Sequence, residues 1–243
     1  MADILIDSGN SRLKLARREP VGWQRVAALD FDDAHALEQA LAVLAAPDVE
    51  RVFLASVSKG WRAERLDYLL SGLRVPVHPI ESMAEIGRLR VAYAQPRQLG
   101  VDRFLALLAA SDDARDCLLL SFGSALTVDA LAADGRHLGG LIAPSPAFQW
   151  QAMRDRFPGL FERQGDAGLL ADNTADALAT GIRHQLLGML QRVLDGAFGG
   201  AEVPVLVGGG DAGIWLPQLP GRVEAAPDLV FLGMLRYIEL NGA

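Results

Sequence analysis

Apolar residues come in short runs divided by polar turns along the first part of the chain. Ile4–Ile6, Leu13–Arg17 and roughly Gly22–Ala28 predict an opening meander of three strands. Alanine and leucine at helical spacing over Asp33–Leu44, with Asp32 or Asp33 as the cap, predict a helix. A β-branched and aromatic strand at Arg51–Ser56, a helix over Arg62–Leu73 and a short strand at Val75–Pro79 follow. A loop from Val91 then leads into a helix running through Ala114. The polar stretch Asp112–Asp116 predicts a boundary between domains 1–115 and 116–243. Beyond it the pattern reads strand, turn, strand over Leu118–Asp129, a further strand near Arg136–Pro144, and an irregular segment holding Pro146 and Pro158. A long amphipathic helix from about Thr174 to Ala197, a buried-type strand at Val203–Val207 and a closing helix near Asp228–Leu240 complete the order.

One unit occurs twice. Ile4-Leu5-Ile6 runs into Asp7-Ser8-Gly9-Asn10-Ser11 and on to Leu13-Lys14-Leu15. Leu118-Leu119-Leu120 runs into Ser121-Phe122-Gly123-Ser124 and on to Ala125–Asp129. Gly9 and Gly123 stand close to half the chain length apart. Two halves that each open on a strand, a glycine turn and a strand point to a duplicated nucleotide clamp.

Composition narrows the class. A chain of 243 residues, 51% of them hydrophobic, can bury a substantial core as one large or two small α/β domains. The single cysteine, Cys117, precedes an apolar strand and reads as a small core residue; a disulfide framework within the chain is excluded. Asp3 and the lack of a basic leading region argue against a signal peptide. Together with the cysteine usage, this predicts a cytoplasmic protein. Mean hydropathy is +0.19, yet no apolar run approaches the ~18 residues of a membrane span. A formal charge of −7 with no long basic cluster argues against nucleic acid, and membrane is likewise not expected as a partner.

The candidate chemistry centres on the first turn. A carboxylate, a glycine and small polar residues between two strands can hold Mg²⁺ and bring backbone N–H groups up to phosphates, although Ser-Gly-Asn also makes ordinary hairpins. Only Lys14 and Lys59 are lysines, and Lys14 stands beside this turn as a point charge suited to a terminal phosphate or as a plain exposed strand residue. Asp102-Arg103, on the residues alone, reads as an acidic helix start with a bridged arginine.

Asp7-x-Gly9-Asn10-Ser11-x-x-Lys14, Pro96-x-x-Leu99-Gly100-x-Asp102-Arg103 and Gly123–Asp129 resemble, in order and spacing, the motifs of type III pantothenate kinases. Gly139-Gly140-x-Ile142-x-Pro144 and Gly208–Gly210 resemble later motifs of that family. The resemblance implies two actin-like, ribonuclease-H-like α/β domains clamping ATP at their interface, as in the actin, heat-shock-ATPase and sugar-kinase superfamily. It also implies transfer of the γ-phosphoryl of ATP to the primary hydroxyl of pantothenate, the first step of coenzyme A synthesis. On that reading Asp7, Ser8, Gly9, Asn10, Ser11, Arg12, Leu13 and Lys14 hold the ATP phosphates, Asp7 stands near Mg²⁺ through water, and Ser124 contacts ATP. Asp102 takes the proton of the attacking hydroxyl. Tyr93, Gly100, Val101, Asp102, Arg103 and Thr174 bind pantothenate, with a guanidinium suited to its carboxylate. For Tyr93 and Thr174, a half-buried tyrosine and a helix N-cap serve equally well. A homodimer is implied too.

Two departures stand out. The family carries an aspartate two residues before the second glycine, where it coordinates a monovalent cation, K⁺ or NH₄⁺. Here that residue is Ser121, a single neutral oxygen, and weak or absent cation dependence is expected. Asp129, on the following strand, is no obvious substitute, and Ser145 follows Pro144 where the family often has glycine. Other readings are a different small-molecule kinase or phosphatase of the superfamily, or a non-catalytic nucleotide- or pantothenate-binding regulator.

Overall fold

The computed structural model describes residues 2–30, 32–33, 35–161 and 165–242, apart from the side chains of residues 36 and 37. The chain forms two compact units: Met1–Asp113 with Asp228–Ala243, and Ala114–Pro227.

In the first unit β1 (Ala2–Ser8), β2 (Arg12–Arg18) and β3 (Trp23–Asp30) form an antiparallel meander. Helix α1 (Ala36–Leu44) leads to β4 (Val49–Ser56), and α2 (Trp61–Ser71) to β5 (Val77–Pro79), giving the order β3-β2-β1-β4-β5 with β4 and β5 parallel to β1. A two-stranded ribbon, β6 (Glu85–Ile86) with β7 (Leu89–Arg90), and a 3₁₀ turn at Pro96–Gln98 precede α3 (Val101–Ser111).

Every residue of β1 is buried, so both its faces are covered. Ile4 and Ile6 join Val52 of β4 in a core with Ala40, Leu44, Leu66 and Leu69 of α1 and α2. By strand alternation Asp3, Leu5 and Asp7 point to the opposite face, the side on which α3 and the chain's last helix pack against β4 and β1. The two carboxylates on that face therefore sit at opposite ends of one buried strand. Asp3 is bridged by Arg18 (2.9 Å) and Arg51 (2.9 Å).

The second unit repeats the plan. Strands β8 (Cys117–Phe122), β9 (Ala125–Leu131) and β10 (His137–Pro144) form a meander, and β11 (Val205–Gly209) and β12 (Val223–Ala225) extend it in parallel, in the order β10-β9-β8-β11-β12. Between them lie α4 (Pro146–Arg156), α5 (Thr174–Phe198) and the single turn α6 (Ala212–Trp215), followed by a 3₁₀ turn at Leu216–Gln218. Leu186 and Leu190 of α5 cover Leu118, Leu120, Val128 and Val207. The matching strand order bears out the duplication expected from the two glycine turns.

Three sequence expectations need correction. The segment after Pro144 is a helix, because Pro146 stands at its first position, where its missing N–H costs nothing, and Ser145 caps it by accepting from the Phe148 N–H at 3.2 Å. The N-cap of α1 is His35, with Asp33 accepting from its backbone N–H, so neither Asp32 nor Asp33 caps directly. The closing helix α7 (Leu229–Leu240) packs with the first unit although the sequence places it in domain 116–243. It lies so close to α3 that a Cβ on Gly233 would come within 2.0 Å of the Leu105 carbonyl oxygen.

Candidate active site

The first glycine turn closes with the Gly9 N–H donating to the Arg12 carbonyl at 3.0 Å. Cross-strand register puts Asp7 opposite Lys14, whose Nζ stands 2.9 Å from Asp7 Oδ2. The carboxylate is buried and the lysine partly exposed, so the ammonium sits at the solvent side of the pair. Asn10, Ser11 and Arg12 are exposed at the tip. Two expected phosphate contacts point elsewhere: Leu13 is a core side chain, and Ser8 is fully buried, its Oγ 2.7 Å from Ser58 Oγ. These two residues can offer a ligand only backbone atoms.

Gly9 is not held at a positive φ, and a Cβ built on it would meet the Arg12 oxygen at an ordinary 3.5 Å; Gly123 behaves the same way at 3.6 Å from Ala125 O. The fold alone demands glycine at neither position. Close approach of a ligand to the backbone would.

Asp102 lies in the first turn of α3, partly buried, with Oδ1 accepting from the Arg103 N–H at 2.9 Å. Burial pushes its carboxyl pKa up. The negative charge of Asp7 pushes it further, against the lowering effects of the Arg103 amide and guanidinium. The Asp7 charge is thus felt at the start of α3. Val57 adjoins both: its N–H donates to the Ser8 carbonyl at 3.0 Å, and its side chain lies 3.7 Å from where a Cβ on Gly100 would be.

Arg103 is buried, and its Nη1 donates to Tyr93 Oη at 3.2 Å, with the guanidinium carbon 5.9 Å from the Tyr93 ring centre. Two expected pantothenate contacts thus meet. The tyrosine is half-buried and orients the guanidinium fork.

In the second unit Ser121 and Ser124 flank an exposed turn, where Ser121 pairs with Thr127 on β9 and Gly208 on β11. The turn leans on backbone rather than on charge. Gly209 has φ +95°, a Cβ there would strike the Phe122 carbonyl oxygen at 2.2 Å, and the Asp211 N–H donates to that oxygen at 3.2 Å. Asp129 is buried against His137, Nε2 to Oδ1 3.0 Å, and so is already engaged. Thr174 is the exposed first residue of α5, capped by Asn173, which accepts from the Asp176 N–H at 3.1 Å. The threonine is therefore not the N-cap.

Among the described residues no cluster of three or more His, Cys, Asp or Glu side chains could hold a metal, and no helix is long and apolar enough to cross a membrane. Asp7 suits Mg²⁺ all the same, because that ion is usually held by one or two carboxylates together with water and substrate phosphates. A cavity of about 400 Å³ lined by Asp3, Arg18, Trp23 and Glu239 lies at the other end of β1, and one of about 540 Å³ lies between β9, β10 and α5. Neither includes Asp7 or Asp102.

Sequence reasoning missed Ser58. Its one available signal is that β4 runs parallel to β1, which sets the segment after β4 beside the turn after β1.

The family model for type III pantothenate kinase matches residues 4–196. A type III pantothenate kinase of Stenotrophomonas maltophilia (strain K279a) is 37% identical over 98% of this chain and 97% of its own length. Among solved structures, a Baf-family protein from Campylobacter jejuni superposes with a TM-score of 0.63 at 19% identity, over 98% of each chain. A protein from Sinorhizobium meliloti described as a 2-dehydro-3-deoxygalactonokinase does so with a TM-score of 0.62 at 15% identity, over 97% of this chain and 98% of that one. The structural likenesses fix the fold; the family match and the curated relative fix the lineage. A strand–glycine turn–strand unit present twice, with a buried aspartate beside the first copy, is here the framework of an enzyme that belongs to the type III pantothenate kinase family.

Proposed function

We propose that Asp102 is the proton acceptor, and the Asp7–Lys14 turn the phosphate site, of the ATP-dependent phosphorylation of pantothenate carried out by this family. The observation that carries the reading is that Val57, whose N–H is bonded to the Ser8 carbonyl, also borders Gly100 at the start of the helix bearing Asp102, whose carboxyl pKa is raised by burial and then by the Asp7 charge. In the reaction the primary hydroxyl oxygen of pantothenate bonds to the γ-phosphorus. The bond from that phosphorus to the β–γ bridging oxygen breaks, ADP leaves with the electron pair, and the hydroxyl proton passes to Asp102. Phosphoryl transfer has a loose transition state and needs little base strength, so Asp102 chiefly orients the hydroxyl and takes its proton late. A raised pKa suits that role, since it brings the acceptor nearer to working pH.

Lys14 would exchange its contact with Asp7 for a terminal phosphate, and the amides around Gly9 would meet the others. Mg²⁺, held by Asp7 through water, would neutralise developing phosphate charge. Arg103, oriented by Tyr93, would take the pantothenate carboxylate. Ser124 and Thr174 enter this reading through the family's motifs alone. Ser121 supports catalysis without a strong monovalent-cation requirement. We read the protein as a cytoplasmic homodimer, as the resemblance to the family implies.

ADP release coupled to pantothenate addition, with ATP and Mg²⁺ present, tests the reading. Turnover that requires pantothenate is expected. ADP release indifferent to pantothenate would indicate a different phosphoryl acceptor, and binding without turnover would indicate a regulator.

A further inference from the structure

We infer that Ser58 is a positioning residue that sets the shape of the phosphate turn, acting through Ser8 and Gly9 and not by touching nucleotide itself. This rests on the assignment of the Asp7–Lys14 turn to the ATP phosphates.

The geometry is specific. Ser58 Oγ lies 2.9 Å from the Gly9 carbonyl, 3.3 Å from the Ser8 carbonyl and 2.7 Å from Ser8 Oγ. A hydroxyl has one proton to give and two lone pairs to accept with. The arrangement that satisfies all three contacts has Ser58 donating to the Gly9 carbonyl, with Ser8 O as a weaker second acceptor, and accepting from the Ser8 hydroxyl. Ser58 is itself held, because its N–H donates to Ser56 Oγ at 3.3 Å. The neighbouring Val57 N–H also donates to the Ser8 carbonyl. The last residue of β4, Ser56, and the two that follow it thus form a bracket around the peptide units of Ser8 and Gly9.

The effect on function follows from the peptide plane. Fixing the Gly9 carbonyl fixes the direction of the Asn10 N–H across the same peptide bond, and fixing the Ser8 carbonyl holds the Gly9 N–H on the Arg12 carbonyl, which keeps the turn closed. Backbone N–H groups bind phosphate well only when aimed together, so a hydroxyl behind the turn decides how the amides in front of it point. The same bracket touches the other half of the site through Val57 and Gly100, two residues before Asp102. Ser58 lies 50 residues along the chain from Ser8, and no local turn propensity could supply this restraint.

The test is steady-state kinetics of the full-length chain with ATP and pantothenate varied separately. Ser58→Ala should raise the KM for ATP about fivefold, as expected for the net value of one lost hydrogen bond, with the KM for pantothenate unchanged. Ser58→Thr keeps the hydroxyl and should restore the ATP KM. Ser8→Ala should raise it similarly, and the Ser8→Ala/Ser58→Ala double variant should be little worse than either single one, since both break one network. An unchanged ATP KM in Ser58→Ala, or equal rises for both substrates in step with a fall in melting temperature, would overturn the proposal. Lys14→Ala separates the two levels of the argument. If it weakens ATP while Ser58→Ala does not, only the positioning role fails; if neither variant affects ATP, the phosphate-turn assignment fails and takes the positioning role with it.

Discussion

The two glycine turns are copies in topology and opposites in how they are supported. The first is braced by side chains: an Asp7–Lys14 ion pair in front and a Ser8–Ser58 hydroxyl network behind. The second is braced by backbone, with Gly209 pressed against Phe122 and the Asp211 amide bonded to the Phe122 carbonyl. The last residue but one of β1 is the buried carboxylate Asp7, and that of β8 is the exposed Ser121. The first turn thus carries charge, and the second is neutral and exposed. Burial first, and then the negative charge of Asp7, push the Asp102 carboxyl pKa up, and that perturbed carboxyl is the visible result.

The largest expected effect comes from removing that result. Asp102→Asn should lower kcat by about 10²-fold or more. It should also stabilise the protein, because a carboxyl whose native pKa is raised binds protons more readily folded than unfolded. Folding stability then falls as pH rises from the unfolded-state value through the native one, and the full cost persists at neutral pH. Melting temperatures should therefore favour the asparagine variant at pH 7, and the advantage should vanish below the ordinary carboxylate range. Near-normal turnover would remove Asp102 from the mechanism.

Exchanging glycine for alanine separates the two kinds of support. Gly209→Ala forces a Cβ into backbone at a positive φ and should cost roughly 2–4 kcal/mol of stability by denaturant titration. Gly9→Ala meets only ordinary contact, so the melting temperature should hold while the KM for ATP rises about tenfold, ~1.4 kcal/mol. If Gly9→Ala instead unfolds the protein with ATP affinity intact, the first turn is structural.

A smaller effect should appear in the pH profile. Asp7→Asn removes a negative charge that raises the Asp102 pKa, so any residual activity should show its acid limb moved to lower pH. No movement, measured as kcat/KM for pantothenate, would uncouple the two groups.

The smallest effect tests the neutral turn. Wild-type rates should be nearly equal in sodium, potassium and ammonium buffers at matched ionic strength. Ser121→Asp should create a K⁺ response or raise the KM for ATP by like-charge repulsion. A strong K⁺ requirement in the wild type would show that Ser121 and backbone carbonyls still build a cation site.

Strands were legible wherever alternation and turn residues agreed, as at β1, β2, β8 and β9, and so was the repeat that pairs Gly9 with Gly123. Helix α4 was hidden because Pro146 reads as a breaker until its position at the first helical residue is known. The address of α7 was hidden for another reason: an apolar helix face carries no label for its partner, and only Gly233 hinted at a close neighbour. Asp7, Lys14, Asp102 and Arg103 stood out in the sequence through the resemblance of their motifs to those of the family. The buried orientation of Ser8, the Ser58 contact and the meeting of Tyr93 with Arg103 depend on parallel strands and loop packing, which linear spacing does not encode.

The return of α7 to the first unit has a consequence for synthesis. Leu229–Leu240 is translated after the whole of the second unit, yet it covers α3, the helix that carries Asp102. During elongation the second unit can close on itself, while the first waits with the flank of α3 around Leu105 uncovered. The helix that carries Asp102 gains this cover only after the second unit has been made. A chain stopped before α7 would therefore carry the first glycine turn with that flank of α3 bare.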